Sequence, residues 1–122
     1  MTADEMGAFA ARLMRSLQDG DFETTVECFQ PDATWWMNGR LRGSFVEILP
    51  EMKAAKSARG VNPHLEIRRM CSDEGFTDQH VVRLPREGKP AAELAICVVA
   101  RVGADGRVTR YEEYFDSATL TT

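Results

Sequence analysis

LEIRRMCSDEGFTDQHVVRLPREGKPAAELAICVVARVGADGRVTRYEEYF, residues Leu65 to Phe115, decides the fold. Four runs rich in β-branched and apolar residues, Leu65 to Cys71, Phe76 to Leu84, Ala91 to Val102 and Arg107 to Phe115, are separated by Asp73-Glu74-Gly75, Pro85 to Pro90 and Gly103 to Gly106. Such runs between turn-forming clusters predict four strands joined by three hairpin-type connections, hence an antiparallel sheet. Strand side chains alternate, so Phe76, Asp78, His80, Val82 and Leu84 share one face and Thr77, Gln79, Val81 and Arg83 the other. His80 therefore lies on the more apolar face. Ala91 to Val102 is apolar on both faces, Leu94, Ile96 and Val98 against Ala95, Cys97 and Val99, and such a strand needs cover on both sides. The last run is ambiguous by hydrophobicity alone: Tyr111, Glu113 and Phe115 share one face, Val108, Arg110, Glu112 and Tyr114 the other.

Upstream of these strands the periodicity changes. Thr2 and Glu5 form a capping-box pattern, and Met6, Phe9, Ala10, Leu13, Met14 and Leu17 then recur at helical spacing as far as Asp19-Gly20. Asp21 caps a second, short helix with Phe22, Val26 and Phe29 on one side, ended by Gln30-Pro31. Ala33 to Met37 reads as a strand, Asn38-Gly39 as a tight hairpin turn and Arg40 to Arg42 as the return. Ser44 and Glu47 repeat the capping box for a third helix carrying Phe45, Ile48, Leu49, Met52 and Ala55, which Pro50 is expected to kink or split. Neither helices nor sheet can bury an apolar face alone, so the chain predicts one α+β domain over residues 1–122.

Composition excludes several function classes. With 43% hydrophobic and 28% charged residues the chain can build a core, and a net charge of −4 disfavours binding through neutralised phosphates, so no nucleic-acid partner is expected. The start lacks a basic segment followed by an apolar run, and no stretch is apolar for long enough to span a bilayer, so a cytoplasmic protein with no membrane partner is expected. Cys28, Cys71 and Cys97 are scattered among apolar neighbours, which reads as reduced core thiols; no metal-ligand spacing is present, and no metal is expected.

The order of elements, with Asp19-Gly20-Asp21-Phe22, Phe29 to Trp35, Leu41-Arg42-Gly43 and Gly106-Arg107-Val108 through Tyr114-Phe115-Asp116, resembles the SnoaL-like and limonene-epoxide-hydrolase branches of the nuclear-transport-factor-2-like superfamily. That resemblance implies a cone: a curved antiparallel sheet wrapped around an N-terminal helical hairpin and a third helix, a cystatin-like α+β roll. It also resolves the last strand, because in epoxide hydrolases of this fold the carboxylate two residues before the closing Phe points into the pocket, a position held here by Glu113. A carboxyl in an apolar cavity is shifted toward the range useful for acid/base work. Glu113 and His80 are thus the expected catalytic pair, hydrogen-bonded if their strands are neighbours. Trp35, Asn38, Leu65, Leu94, Ile96, Val98, Tyr111 and Phe115 are expected to line the site, although Asn38 before Gly is first a turn residue.

The resemblance is incomplete. The arginine and aspartate that the epoxide-hydrolase pattern places two residues apart are here His80 and Val82, and the tyrosine and aspartate of the steroid-isomerase pattern fall at Leu13 and near Met37-Asn38. It implies cofactor-independent isomerisation, cyclisation or hydration of a small hydrophobic molecule. The alternatives are a non-catalytic ligand-binding or dimerisation domain, and an epoxide hydrolase with an incomplete constellation. In relatives a second copy covers the outer face of the sheet, so a homodimer is expected.

Overall fold

The computed structural model describes residues 1–121. Thr2 and Glu5 cap each other at the start of helix α1 (Ala3–Asp19), which buries Met6, Ala10, Leu13 and Met14 and stops at Gly20, whose φ of 74° is a left-handed cap that glycine adopts without strain. Asp21 caps the short α2 (Phe22–Cys28). The face of α2 that packs inward carries Thr25 and Cys28, while Val26 is exposed, because the turn from Gly20 rotates this helix away from the expected Phe22–Val26–Phe29 stripe.

Phe29 belongs to the first strand. β1 (Phe29–Met37) begins four residues earlier than its apolar core suggests and pairs with β2 (Arg40–Ser44) across Asn38-Gly39. Both turn residues have positive φ, 51° and 78°, as this two-residue turn requires. Helix α3 (Phe45–Arg59) has the reciprocal Ser44–Glu47 cap and runs unbroken through Pro50. Pro50 has no N–H to offer the Val46 carbonyl, but both residues are exposed, so water can satisfy that oxygen and the helix needs no break.

The remaining strands are β3 (Leu65–Cys71), β4 (Gly75–Arg86), β5 (Lys89–Val102) and β6 (Val108–Phe115). They join β1 and β2 in one curved, unclosed sheet of order β2-β1-β6-β5-β4-β3. Every pair is antiparallel except β1 with β6, so the sheet is mixed, where the run of hairpins alone suggested an antiparallel one. A short 3₁₀ helix, Ser117–Leu120, follows β6.

The helices pack on one face of the sheet. Phe29 stacks on Phe45 at 4.3 Å between ring centres, and Trp35 stacks on Tyr111 at 4.2 Å, tying β1 to α3 and to β6. In β4, Phe76, Asp78, His80 and Val82 are buried, as the alternation requires. In β6, Tyr111, Glu113 and Phe115 point inward. Val108 is buried as well, although alternation groups it with Arg110 and Glu112, because a pairing irregularity beside Val102 shifts the phase before Tyr111. Among the described residues no helix covers the other face of the sheet, which displays Ala95, Cys97, Val99 and Tyr114, with the Arg110 guanidinium 4.1 Å above the Trp36 ring.

Candidate active site

Between the sheet and helices α1 and α3 lies a cavity of about 390 Å³. Trp35, Val82, Leu84, Leu94, Ile96, Tyr111 and Phe115 supply its wall from the sheet, Met14, Leu17 and Met52 come from the helices, and His64, His80 and Glu113 enter it with ionisable groups. Larger hollows of about 760 and 590 Å³ exist along the outer face of the sheet, but strand residues such as Arg101, Arg110, Glu112, Gln79 and Tyr114 line them. The side chains capable of proton transfer converge on the inner cavity.

His80 is held by a chain of charges that starts at the sheet edge. Arg69 lies opposite Asp78 in the β3–β4 register, and its Nε donates to Asp78 Oδ2 at 2.6 Å. Asp78 Oδ1 lies 2.6 Å from His80 Nδ1. Asp78 is completely buried, which by itself raises a carboxyl pKa; hydrogen bonds from His80 and Arg69 outweigh that and hold it below the usual value. An ionised Asp78 can only accept, so His80 Nδ1 is the donor of this hydrogen bond, and Nε2 is the ring nitrogen that this contact leaves unused. The ring is fixed from the other side by His64, stacked at 3.9 Å with 14° between the planes. The backbone N–H of His64 donates to Gln18 Oε1 at 2.8 Å. Burial, reinforced by His80, pushes the His64 pKa down to about 4, so at neutral pH this residue is an uncharged plate.

Glu113 reaches the same cavity from β6. Burial raises its pKa, with His80 and Arg59 opposing the shift, and among the described residues its carboxyl has no hydrogen-bond partner. The expected hydrogen bond between Glu113 and His80 does not form. Their strands are not neighbours: β5 runs between them, His80 pairing with Ile96 and Glu113 with Val98. Two strand spacings separate the backbones by roughly 10 Å, leaving room for a molecule between the two side chains.

Five of the expected lining residues, Trp35, Leu94, Ile96, Tyr111 and Phe115, do face the cavity. Three do not. Asn38 is committed to the turn: its N–H donates to the Glu113 carbonyl at 2.8 Å and its Oδ1 accepts from the Phe115 N–H at 2.9 Å, which pins β1 to β6 beside the site. Leu65 is 40% exposed on the edge strand, where an irregularity after it carries Glu66 to φ 53° and turns the entry of β3 outward. Val98 is buried in the core and does not line the cavity.

Asp78, Arg69 and His64 are members of the site that sequence reasoning passed over. Asp78 was within reach, since it sits two residues before His80 on the same strand face. Arg69 required the β3–β4 register, and His64 the path of the loop after α3, neither of which periodicity supplies. Among the described residues no group of three His, Cys, Asp or Glu side chains is arranged to hold a metal ion, and no helix is long and apolar enough to cross a membrane.

No family model and no curated protein matches the sequence. Solved structures do match. A protein assigned to the SnoaL-like polyketide cyclases of Shewanella putrefaciens superposes with a TM-score of 0.80 at 16% identity, over 96% of this chain and 83% of that one. Bal32a, from a soil-derived mobile gene cassette, gives 0.77 at 22% identity over 94% and 92% of the two chains. An epoxide hydrolase of M. tuberculosis, similar to limonene epoxide hydrolase, gives 0.77 at 19% identity over 98% and 88%. The chain has the SnoaL-like cone fold, and at these identities the likeness speaks for the fold alone.

Proposed function

We propose that this protein is an acid/base enzyme that moves a proton on a small, largely apolar carbonyl compound, using His80 as base and Glu113 as acid. The observation that carries the reading is the disposition of the two groups. They enter one apolar cavity from strands separated by β5; His80 is oriented by a buried carboxylate, and Glu113 is unpartnered, with burial favouring its protonated form.

His80 Nε2 takes a proton from the carbon beside the carbonyl, and the imidazolium that results is stabilised by Asp78. The electron pair left on carbon moves onto the carbonyl oxygen, which accepts a hydrogen bond from the protonated Glu113 carboxyl as its charge develops. Return of the proton from His80 to a different carbon gives isomerisation; attack of the enolate carbon on a second carbonyl within the molecule, whose oxygen then takes the proton from the His80 imidazolium, gives ring closure. Both routes use only side-chain protons and need no cofactor. Epoxide hydration fits less well, because a water held between two acids requires a second carboxyl at the cavity, and both oxygens of Asp78 are engaged by Arg69 and His80. A second copy packed on the outer face, over Ala95, Cys97 and Val99, would give the doubly apolar β5 its second cover. That makes the working unit a homodimer, and light scattering at micromolar concentration that finds only monomer rejects it. Three free thiols suit a reducing, cytoplasmic setting.

The direct test is exchange of the α-hydrogens of cyclohexanone in D₂O, followed by NMR. The wild-type protein should accelerate exchange, and Glu113→Gln and His80→Gln should each lose on the order of 10²–10⁴-fold. Exchange that stays equally fast in both variants refutes the assignment. A protein that binds the ketone without accelerating exchange is a ligand-binding domain instead.

A further inference from the structure

The charge at the mouth of the cavity runs against that of the molecule. The chain carries a net −4, yet the residues that the end of α3 brings to the cavity lining are Lys56 and Arg59, followed by Gly60 and the amide side chain of Asn62. Lys56 is half-buried, and its Nζ donates to the Gln18 carbonyl at 2.9 Å. Asp19 attracts it electrostatically without approaching to ion-pair distance, and among the described residues neither Lys56 nor Arg59 forms a salt bridge. Elsewhere on the chain Arg12, Arg42, Arg69, Arg83 and Arg110 each lie within 4 Å of a carboxylate oxygen, and the other cations outside ion pairs do not line the cavity. Two cations outside any ion pair therefore border a largely apolar space, and one of them is partly withdrawn from water. Basic residues at a helix C-terminus also complement the helix dipole, but that role does not require them to line a cavity.

Resting on the acid/base reading above, we infer that the substrate is a monocarboxylate: an apolar body that fills the cavity as far as His80 and Glu113, with a single carboxylate held at the mouth by Lys56 and Arg59. A planar guanidinium matches the two oxygens of a carboxylate, and the lysine, already fixed through Gln18, adds a second charge without having to be ordered on binding. The anion also places the reacting end of the molecule. With the carboxylate anchored beside α3, the carbonyl to be polarised must lie toward β6, where Glu113 waits.

The test compares three probes with the same ring system: 2-naphthoate, neutral 2-acetylnaphthalene and 2-naphthyl phosphate, each titrated while the fluorescence of Trp35 in the cavity wall is followed. Wild type should bind 2-naphthoate about tenfold or more tighter than the neutral probe, and higher salt should narrow that gap. Arg59→Gln, at an exposed position that does not endanger folding, should weaken naphthoate about three- to tenfold and leave 2-acetylnaphthalene within about twofold. Lys56→Gln should act in the same direction, with its thermal midpoint measured because it also loses the bond to Gln18. Equal affinity for the neutral probe, equal weakening of both probes in the variants, or tighter binding of the phosphate overturns the inference. The cyclohexanone assay keeps the two readings apart. Exchange without preference for the anion removes the substrate class and leaves the chemistry, whereas preference without exchange removes the chemistry and leaves an anion-anchoring pocket.

Discussion

Replacing His64 with Phe should flatten the acid side of the stability profile. The ring of His64 lies against His80, and its pKa is pushed from the ordinary 6.5 down to about 4. Below pH 6.5 the unfolded chain binds a proton that the folded chain refuses until about pH 4, so stability is lost as the pH falls through that window. With those two values the loss from a single group is about 0.8 kcal/mol at pH 6 and about 2 kcal/mol at pH 5, measured from the neutral plateau. His64 is half-buried, and solvent screening brings the figure at pH 5 closer to about 1–2 kcal/mol. Glu113, raised by burial, works in the opposite direction in the same range. The depressed carboxyls, Asp78 among them, withdraw their support only at lower pH. Phe preserves the stacked plate and leaves the backbone N–H to Gln18 untouched. Urea unfolding at a series of pH values from about 7.5 to 5 should therefore show wild type losing about 1–2 kcal/mol more than His64→Phe, since Glu113 is common to both. Parallel profiles for the two proteins would show that the stacked imidazole is not what resists protonation, and would undo the account of how His80 is held.

Asp78→Asn should cost about 2–4 kcal/mol in the same urea assay, because it leaves His80 and Arg69 facing a neutral amide in place of the carboxylate to which both donate. Glu113→Gln should stabilise the protein at neutral pH: the unfolded carboxyl ionises before the folded one, so the native Glu113 loses stability as pH rises past the ordinary carboxylate range. The thermal midpoint of the variant should exceed wild type at about pH 7.5 and converge with it at about pH 4. Gly75→Ala should destabilise by about 1–3 kcal/mol or more, since a Cβ there would lie 2.0 Å from the Ala100 carbonyl oxygen and one strand would have to move; an unchanged melting temperature would refute that packing.

Most of the fold was legible because its signals are local. The two capping boxes, the Asn38-Gly39 turn and the period-two runs of β4 and β5 each specify their own element, and all formed at those residues. The parallel seam between β1 and β6 joins residues nearly eighty positions apart, and no local pattern encodes it. The site divides along the same line. His80 and Glu113 were readable from alternation and resemblance. The Arg69–Asp78–His80 chain depends on the register between strands, and the place of His64 and Lys56 beside the cavity depends on where α3 ends. Leu65 was misplaced for a related reason: a local irregularity in pairing reverses the face that strict alternation assigns.

The position of β6 in the middle of the sheet governs the order in which activity can appear during folding. Until β1 docks on that strand, β1 and β6 each present an unpaired edge, and Trp35 and Tyr111 are not yet stacked. The helical hairpin, the β1–β2 hairpin and the β3–β6 meander can all assemble early from contacts close in sequence. His80 and Glu113 come together within that meander, whereas Trp35 reaches the cavity wall only when β1 docks on β6, through distant pairings that carry a large loop-closure cost. A partly folded chain can thus bring His80 and Glu113 onto one sheet and still lack the wall beside them. The step that abolishes the two sticky edges is the same step that closes the cavity, so aggregation and loss of ligand binding should share one kinetic origin in variants that slow the docking of β1 on β6.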